Sequence, residues 1–371
     1  MVTRRRFVRD LGCMALAGPV LGEAALAQRA LSSPAPSGPM VWLNANENPA
    51  GPPPGAIRAV VEGAAATGRY HFDEFTGFTR AIALSENLTD EQVMFGVGSS
   101  EIIDAAIGAF TSASRPMITA TATFEIPIEL ARSMGKAVVQ VPLAETWAFP
   151  VRRLAEEARQ AGGGLIYLCN PNNPTSSLTP SADIDWLVSN LPQNTVLLVD
   201  EAYLHFAEPA KVESAIKYVR ENKNVVVTRT FSKIYGMAGI RAGFGCARPD
   251  LIRAMTPFRA NVIPVLGLRA ATAALAERAL LVPARRAEMA RRTSDLCEWL
   301  RQKRLAFIDP HANFVMIDIG RDVRSFGEAM FRQGVAVGRP FPAVEHMLRV
   351  TVGTESEMSK FRDIFWRVYK S

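Results

Sequence analysis

Three short runs constrain this chain most. Residues 164–169, 195–199 and 225–228 are almost wholly apolar, and each breaks off into a polar turn. A continuous apolar run bounded by turn signals reads as a buried strand. Helical stretches, such as 55–66 and 150–162, alternate with such runs. The expected fold is therefore α/β, a mostly parallel sheet wound by helices on both faces. With 371 residues and 48% hydrophobic content, the chain can bury a large core and carry a second, smaller domain. The division read from the pattern is a leader at 1–27, a linker and N-terminal arm at 28–60, a large domain at 61–275 and a smaller α+β domain at 276–371.

Composition excludes several classes. The net charge of +6 is concentrated near the start, and no basic stripe is interleaved with aromatics, so nucleic acid is not an expected partner. A charged fraction of 21% spread among apolar segments excludes general disorder. The four cysteines are scattered, without a CxxC pair or a His/Cys cluster, so no metal site is expected. Cys169 and Cys246 fall in apolar runs and read as core thiols.

The first residues read as an export signal. Thr3-Arg4-Arg5-Arg6-Phe7 precedes a weakly apolar run, 11–26, that ends in Ala25-Leu26-Ala27. This pattern looks like a twin-arginine leader cut after Ala27, which implies the twin-arginine translocase as a transient partner and a periplasmic destination. Pro19 and Glu23 break the apolar run, so no stable membrane span is expected. An odd number of cysteines in the mature chain fits a protein that folds before it meets an oxidising compartment.

Four stretches carry chemistry. First, a short strand at 92–95 leads into Gly96-Val-Gly-Ser-Ser-Glu101, a glycine turn entering a helix. Such a turn gathers backbone N–H groups and the positive end of the helix dipole, which suits an anion. Glu101 reads as solvated. Second, Asn170-Pro-Asn-Asn-Pro-Thr175 makes a tight turn at the end of a strand, where ligands of open α/β sheets gather. Third, Asp200 ends a buried strand, ahead of Glu201-Ala202-Tyr203. A carboxylate there is costly without a cationic partner. Fourth, Arg229 to Phe244 offers hydroxyls at Thr230 and Ser232, an amine at Lys233, a glycine-rich turn and a guanidinium at Arg241. Hydroxyls and a guanidinium suit phosphate oxygens, and a lysine amine can form a Schiff base with an aldehyde. Further on, Arg349 lies inside an apolar strand and needs a partner.

Together these stretches resemble the fold-type I pyridoxal-phosphate (PLP) enzymes of the class I/II aminotransferase group, with the histidinol-phosphate aminotransferases most similar. The resemblance covers residues 41–371. It implies PLP as cofactor, an amino donor and a 2-oxo acid acceptor as small-molecule partners, and a homodimer. Lys233, Asp200 and Tyr203 would be catalytic. Lys233 would move the substrate proton, and Asp200 would face the pyridine nitrogen. Tyr203 and Asn173 would bond the phenolic oxygen. Phe124 would stack on the ring. Ser99, Ser100, Thr230, Ser232 and Arg241 would hold the phosphate, completed by Tyr70 of a second subunit. Arg349 would grip a substrate carboxylate. The arm's Asn46 is expected on the substrate side, and Arg339 is the candidate for a substrate phosphate. The chain departs from the family at His71 (proline there), Ser100 (aspartate) and Ser176 (glycine), and the loop 340–347 is short. The lysine motif leaves open other PLP chemistry on the same scaffold, such as oxidation, elimination or decarboxylation, and a non-catalytic binding protein is a further reading.

Overall fold

A computed structural model describes residues 38–371; the expected leader lies outside the described residues. The strands are β1 (Val41–Trp42), β2 (Val93–Gly96), β3 (Met117–Ala120), β4 (Val138–Val141), β5 (Gly164–Cys169), β6 (Thr195–Asp200), β7 (Val225–Thr230), β8 (Gly243–Ala247), β9 (Phe314–Asp318), β10 (Val335–Ala336) and β11 (Met347–Thr351). The three runs that dominate the sequence become β5, β6 and β7, with every residue buried. They sit at the centre of a seven-stranded sheet of order β2-β8-β7-β6-β5-β3-β4.

Only β8 runs against its neighbours, β7 and β2. The other six strands therefore point one way, and the turns that leave β2, β3, β5, β6 and β7 all emerge at the same edge. A sheet buried on both faces needs helices on both. The helix Val151–Gln160 does this with Val151, Leu154, Ala155 and Ala158 turned inward, at the i, i+3, i+4, i+7 spacing of one helix face.

A second unit follows. β9 pairs antiparallel with β11, and helices Val323–Arg332 and Glu355–Lys370 accompany them. Thr354 and Glu357 form the expected capping box at the last helix. The connecting helix runs Arg278–Gln302 and carries Pro283 in its interior. Proline there forfeits the bond its N–H would make to Ala279 O, and the turn ahead of it is held by Leu280 and Leu281 N–H donating to Glu277 O at 3.2 and 3.0 Å. The apolar stretch after helix Val323–Arg332 forms only the two-residue β10. Pro340 and Pro342 cannot donate to a ladder, and Gly338 N–H alone reaches Arg349 O, at 2.8 Å.

The N-terminal arm joins the two units. β1 pairs with β10, Leu43 O accepts from Thr351 N at 3.0 Å, and Asn48 Nδ2 donates to Ile234 O at 3.1 Å. Among the described residues no helix is long and apolar enough to cross a membrane.

Candidate active site

The site begins where β2 turns into the helix Ser99–Phe110. Gly98 has φ +81°, and a Cβ there would stand 2.7 Å from the Arg241 guanidinium. The backbone angle favours glycine, and a side chain there would displace the Arg241 guanidinium from the turn. The helix presents its unpaired N–H groups and dipole to this spot. Thr230 Oγ1 lies 2.9 Å from Ser232 Oγ, and Arg241 Nη1 reaches Ser232 Oγ at 3.4 Å. Burial lowers the Arg241 pKa from its usual value, so an anion brought here would favour its charged form. Backbone N–H groups, hydroxyls and one guanidinium make a donor set for a phosphate. Glu101 is not solvated as expected. It is buried and accepts from Val97 N at 2.7 Å and Asn261 N at 2.8 Å, fixing the turn from below.

Asp200 ends β6 and is buried. Its carboxylate accepts from Tyr167 Oη at 3.1 Å and Thr228 Oγ1 at 3.0 Å. Both donors are neutral, and burial pushes its pKa up to about 6. A cation beside it would reverse that shift. A protonated ring nitrogen therefore fits the carboxylate as the anion cup fits a phosphate. The sequence reading missed Tyr167 and Thr228, and register is the signal that finds them. Thr228 is the lateral neighbour of Asp200, and Tyr167 shares a sheet face with Cys169, the neighbour on the other side.

Lys233 leaves the end of β7. Its Nζ donates to Asn46 O at 3.0 Å and Ala45 O at 3.2 Å, and lies 5.6 Å from the Tyr203 ring centre. The arm thus supplies the oxygens that meet the amine. Tyr203 Oη accepts from Asn46 Nδ2 at 3.1 Å. Arg349, on β11, is fully buried. Its Nη1 donates to Asn173 Oδ1 at 2.6 Å and its Nη2 to Asn44 O at 2.8 Å, while the Phe341 and Phe314 rings flank it at 5.0 and 5.7 Å.

A cavity of about 480 Å³ opens among these groups. Ser99, Ser100, Phe124, Asn173, Asp200, Tyr203, Thr230, Ser232, Lys233 and Arg241 all line it, with Cys169, Ala45 and Glu47. Four expected residues are not in this lining: Arg349, which is buried behind Asn173, and three that stand elsewhere. Asn46 is wholly buried behind Tyr203, where it touches that residue and the Lys233 amine rather than the cavity. Arg339 is paired with Glu125 at 2.6 Å. Tyr70 is 68% exposed and stacks on Phe72. The neighbouring His71 has φ +54°, a left-handed angle closed to the proline of the family pattern. Ser176 keeps a glycine-like φ of +62°, and its Oγ accepts from Ala312 N at 2.9 Å and His311 N at 3.1 Å. The altered exit of the turn is therefore a side-chain clasp on an unchanged backbone course.

The chain also matches known proteins in sequence and fold. Residues 38–365 match the family model for aminotransferase class I and II. The chain belongs to the class I and II aminotransferases and is a PLP-dependent transaminase. Within that class it is 34% identical over 329 residues to a histidinol-phosphate aminotransferase of Symbiobacterium thermophilum, covering 87% of this chain and 88% of the relative. It is 33% identical to histidinol-phosphate aminotransferase 2 of Methylococcus capsulatus, covering 87% and 88%. The crystal structure of the Sinorhizobium meliloti histidinol-phosphate aminotransferase in complex with pyridoxal-5'-phosphate has the same fold, with TM-score 0.84, 24% identity and 96% of each chain covered.

Proposed function

We propose that the cavity is where this aminotransferase holds PLP and exchanges an amino group between an amino acid, or a histidinol-phosphate-like amine, and a 2-oxo acid. The observation that carries this reading is one cavity joining an amine, a buried carboxylate and an anion cup. Gly98, Ser99, Ser100, Thr230, Ser232 and Arg241 hold the phosphate. Phe124, Asn173 and Tyr203 line the same cavity and would hold the cofactor's ring. When bound, PLP supplies an electron-poor ring that stabilises negative charge at the reacting carbon. Asp200 keeps the ring nitrogen protonated. Lys233 is the residue that takes and returns the substrate proton at Nζ. Arg349 binds and orients the donor's carboxylate in a two-point contact.

Replacing Lys233 by Ala tests the assignment. Turnover of every donor should fall by about 10²–10⁴-fold or more while the circular dichroism spectrum stays unchanged. Appreciable transamination by purified Lys233→Ala, without added amine, overturns it.

Two further readings complete the proposal. The active unit is a homodimer in which the exposed Tyr70 reaches the phosphate cup of the second subunit. The support is family resemblance and the tyrosine's exposure. The protein is also exported folded to the periplasm. This rests on the sequence of residues 3–27 alone, with three buried free thiols at Cys169, Cys246 and Cys297 consistent with it. Changing Arg4 and Arg5 to Lys should hold the precursor in the cytoplasm; normal export of that variant rejects the twin-arginine route.

A further inference from the structure

A second cavity, of about 390 Å³, lies between the two units and shares no lining residue with the first. One wall is the face of the connecting helix that carries Met289, Thr293, Cys297 and Arg301, spaced four residues apart. The second wall is the segment 206–211, which follows Tyr203, and the third is the loop 309–312 ahead of β9. The floor is buried: Phe206, Met289, Thr293, Cys297 and Ala312 are each less than a tenth exposed. A helical threonine commonly returns its hydroxyl to the carbonyl four residues back. Thr272 does so, donating to Leu268 O at 2.9 Å. Thr293 does not, and its buried Oγ1 has no hydrogen-bond partner among the described residues. A buried hydroxyl is costly to leave unpaired, and a partner that enters through the cavity relieves that cost.

The rim carries charge of both signs, Lys211 and Arg301 against Glu208 and Asp309. His311 adds none near neutral pH, because burial lowers its pKa from the usual value. Lys211 meets Glu208 at 3.7 Å, and Arg301 meets Glu298, outside the cavity, also at 3.7 Å, with all of these side chains more than half exposed. Exposed pairs at that distance contribute little, so the rim charges stay available to a ligand. An apolar floor with one unpaired hydroxyl, under two cations and two anions, matches a molecule with an apolar body and a zwitterionic head. The volume is ordinary for a small-molecule site. We propose that this cavity is a second binding site, for a free amino acid with an apolar side chain. The cations and the Thr293 hydroxyl meet its carboxylate, the two acidic side chains meet its ammonium, and the floor takes its side chain. Two walls lead into the catalytic cavity. Phe206 N donates to Tyr203 O at 3.0 Å, and His311 N donates to Ser176 O at 2.8 Å, three residues from Asn173. An occupant therefore holds the two units against each other and bears on Tyr203 and Asn173, so it should alter turnover. That effect rests on the first cavity being the transamination site; the binding does not.

Calorimetry of the PLP-loaded protein with N,N-dimethyl-L-leucine tests the binding, since this zwitterion keeps both charges but lacks the primary amine that condenses with an aldehyde. The wild type should bind one molecule per subunit. Ala290→Trp, at an exposed position in the lining, should fill the space and abolish binding. Thr293→Val should weaken binding about tenfold or more, a change of about 1.4 kcal/mol. The singly charged analogues 4-methylpentanoate and 3-methylbutylamine should each bind more weakly than the zwitterion by about tenfold or more. In steady-state assays the probe should change kcat in the wild type and leave it unchanged in Ala290→Trp. No saturable binding at about 1 mM overturns the inference and leaves the cavity to water. Binding that survives both variants, or an effect on KM alone, puts the probe in the first cavity and overturns it as well. Equal binding of a singly charged analogue overturns the amino-acid class, and an unmoved kcat at saturation overturns the coupling. Should Ala290→Trp lose its fold, Thr293→Val reads the same loss with a side chain of matched shape. A wild type that turns over no donor overturns the reading of the first cavity, while calorimetry still decides the second.

Discussion

Asp200 shows how one side chain can carry both stability and chemistry. Its pKa rises from 3.8 to about 6 because burial penalises the charge more than Tyr167 and Thr228 relieve it. The folded apo protein therefore holds a proton at pH values where the unfolded chain has lost it. Stability should then rise as pH falls from about 7 to 4, and this residue contributes about 3 kcal/mol at 1.36 kcal/mol per pKa step. Chemical denaturation of wild type and Asp200→Asn across that range isolates the effect, since the amide cannot titrate. The wild type should gain on the variant as the solution is acidified, and a constant difference would contradict the assignment. Saturation with PLP should flatten the trend, because a cationic partner favours the ionised carboxylate. Arg349 is a fully buried guanidinium that donates to Asn173 Oδ1 and Asn44 O beside two aromatic rings. Arg349→Ala should lose about 2–5 kcal/mol of transition-state binding for donors with an α-carboxylate. Half-reaction kinetics against a matched amine lacking the carboxylate provides the control. Equal loss for both donors would make Arg349 structural.

Among the elements, the turn between β5 and the helix Ser181–Ser189 joins the site to the second unit. Asn173 in this turn meets Arg349, and Ser176, three residues on, clasps the backbone N–H groups of His311 and Ala312. Ser176→Ala strands the buried Ala312 N–H, while the His311 N–H keeps Ser176 O at 2.8 Å, and should cost about 1–3 kcal/mol. The urea midpoint should fall with an unchanged slope, and an unmoved midpoint would show that water replaces the hydroxyl. This clasp also marks how far sequence reasoning reaches. The central strands were legible because β5, β6 and β7 are apolar on both faces, and their turns carry residues that only a ligand edge would tolerate. The lining of the cavity was legible for the same reason. What lies one layer out was not. Glu101 looks like a solvated helix residue, and only the folded chain brings Asn261 N to it. Asn46 sits in a proline-rich arm whose course depends on Thr351 and Asn313, more than 250 residues away. The Glu125–Arg339 pair likewise joins segments that nothing in the local pattern connects.

At the scale of the whole molecule, the apolar side chains left outside point to a second copy of the chain. Ile57 is 50% exposed, Val61 70%, Tyr70 68%, Phe72 59%, Phe258 46% and Val262 44%. Two of them, Tyr70 and Phe72, start a run of rings that leads inward to the buried Phe95. Tyr70 stacks on Phe72, Phe72 meets Phe75 edge-on, Phe75 meets Phe95, and Arg259 lies over Phe95 at 5.1 Å. Large apolar side chains left exposed, here with two of them stacked, are what a partner would cover. The run starts from Tyr70, the residue that by resemblance completes a neighbouring phosphate cup, and it reaches Phe95, one residue before the turn that forms the chain's own cup. A twofold arrangement would let each copy cover the other's run and lend its tyrosine at the same time, as isologous contacts do. Sedimentation of the PLP-loaded protein should therefore give a dimer at working concentration, and Val61→Asp with Phe258→Asp should shift it towards monomer. Tyr70→Phe should leave the dimer intact but weaken retention of PLP by about 0.5–1.5 kcal/mol, and more if its hydroxyl meets the charged phosphate. Mixing subunits separates the two effects. An inactive Lys233→Ala subunit with intact Tyr70, exchanged into a Tyr70→Phe dimer, should restore tight cofactor binding at the Tyr70→Phe subunit's own lysine. If retention instead follows the tyrosine of the same subunit, Tyr70 does not cross the interface.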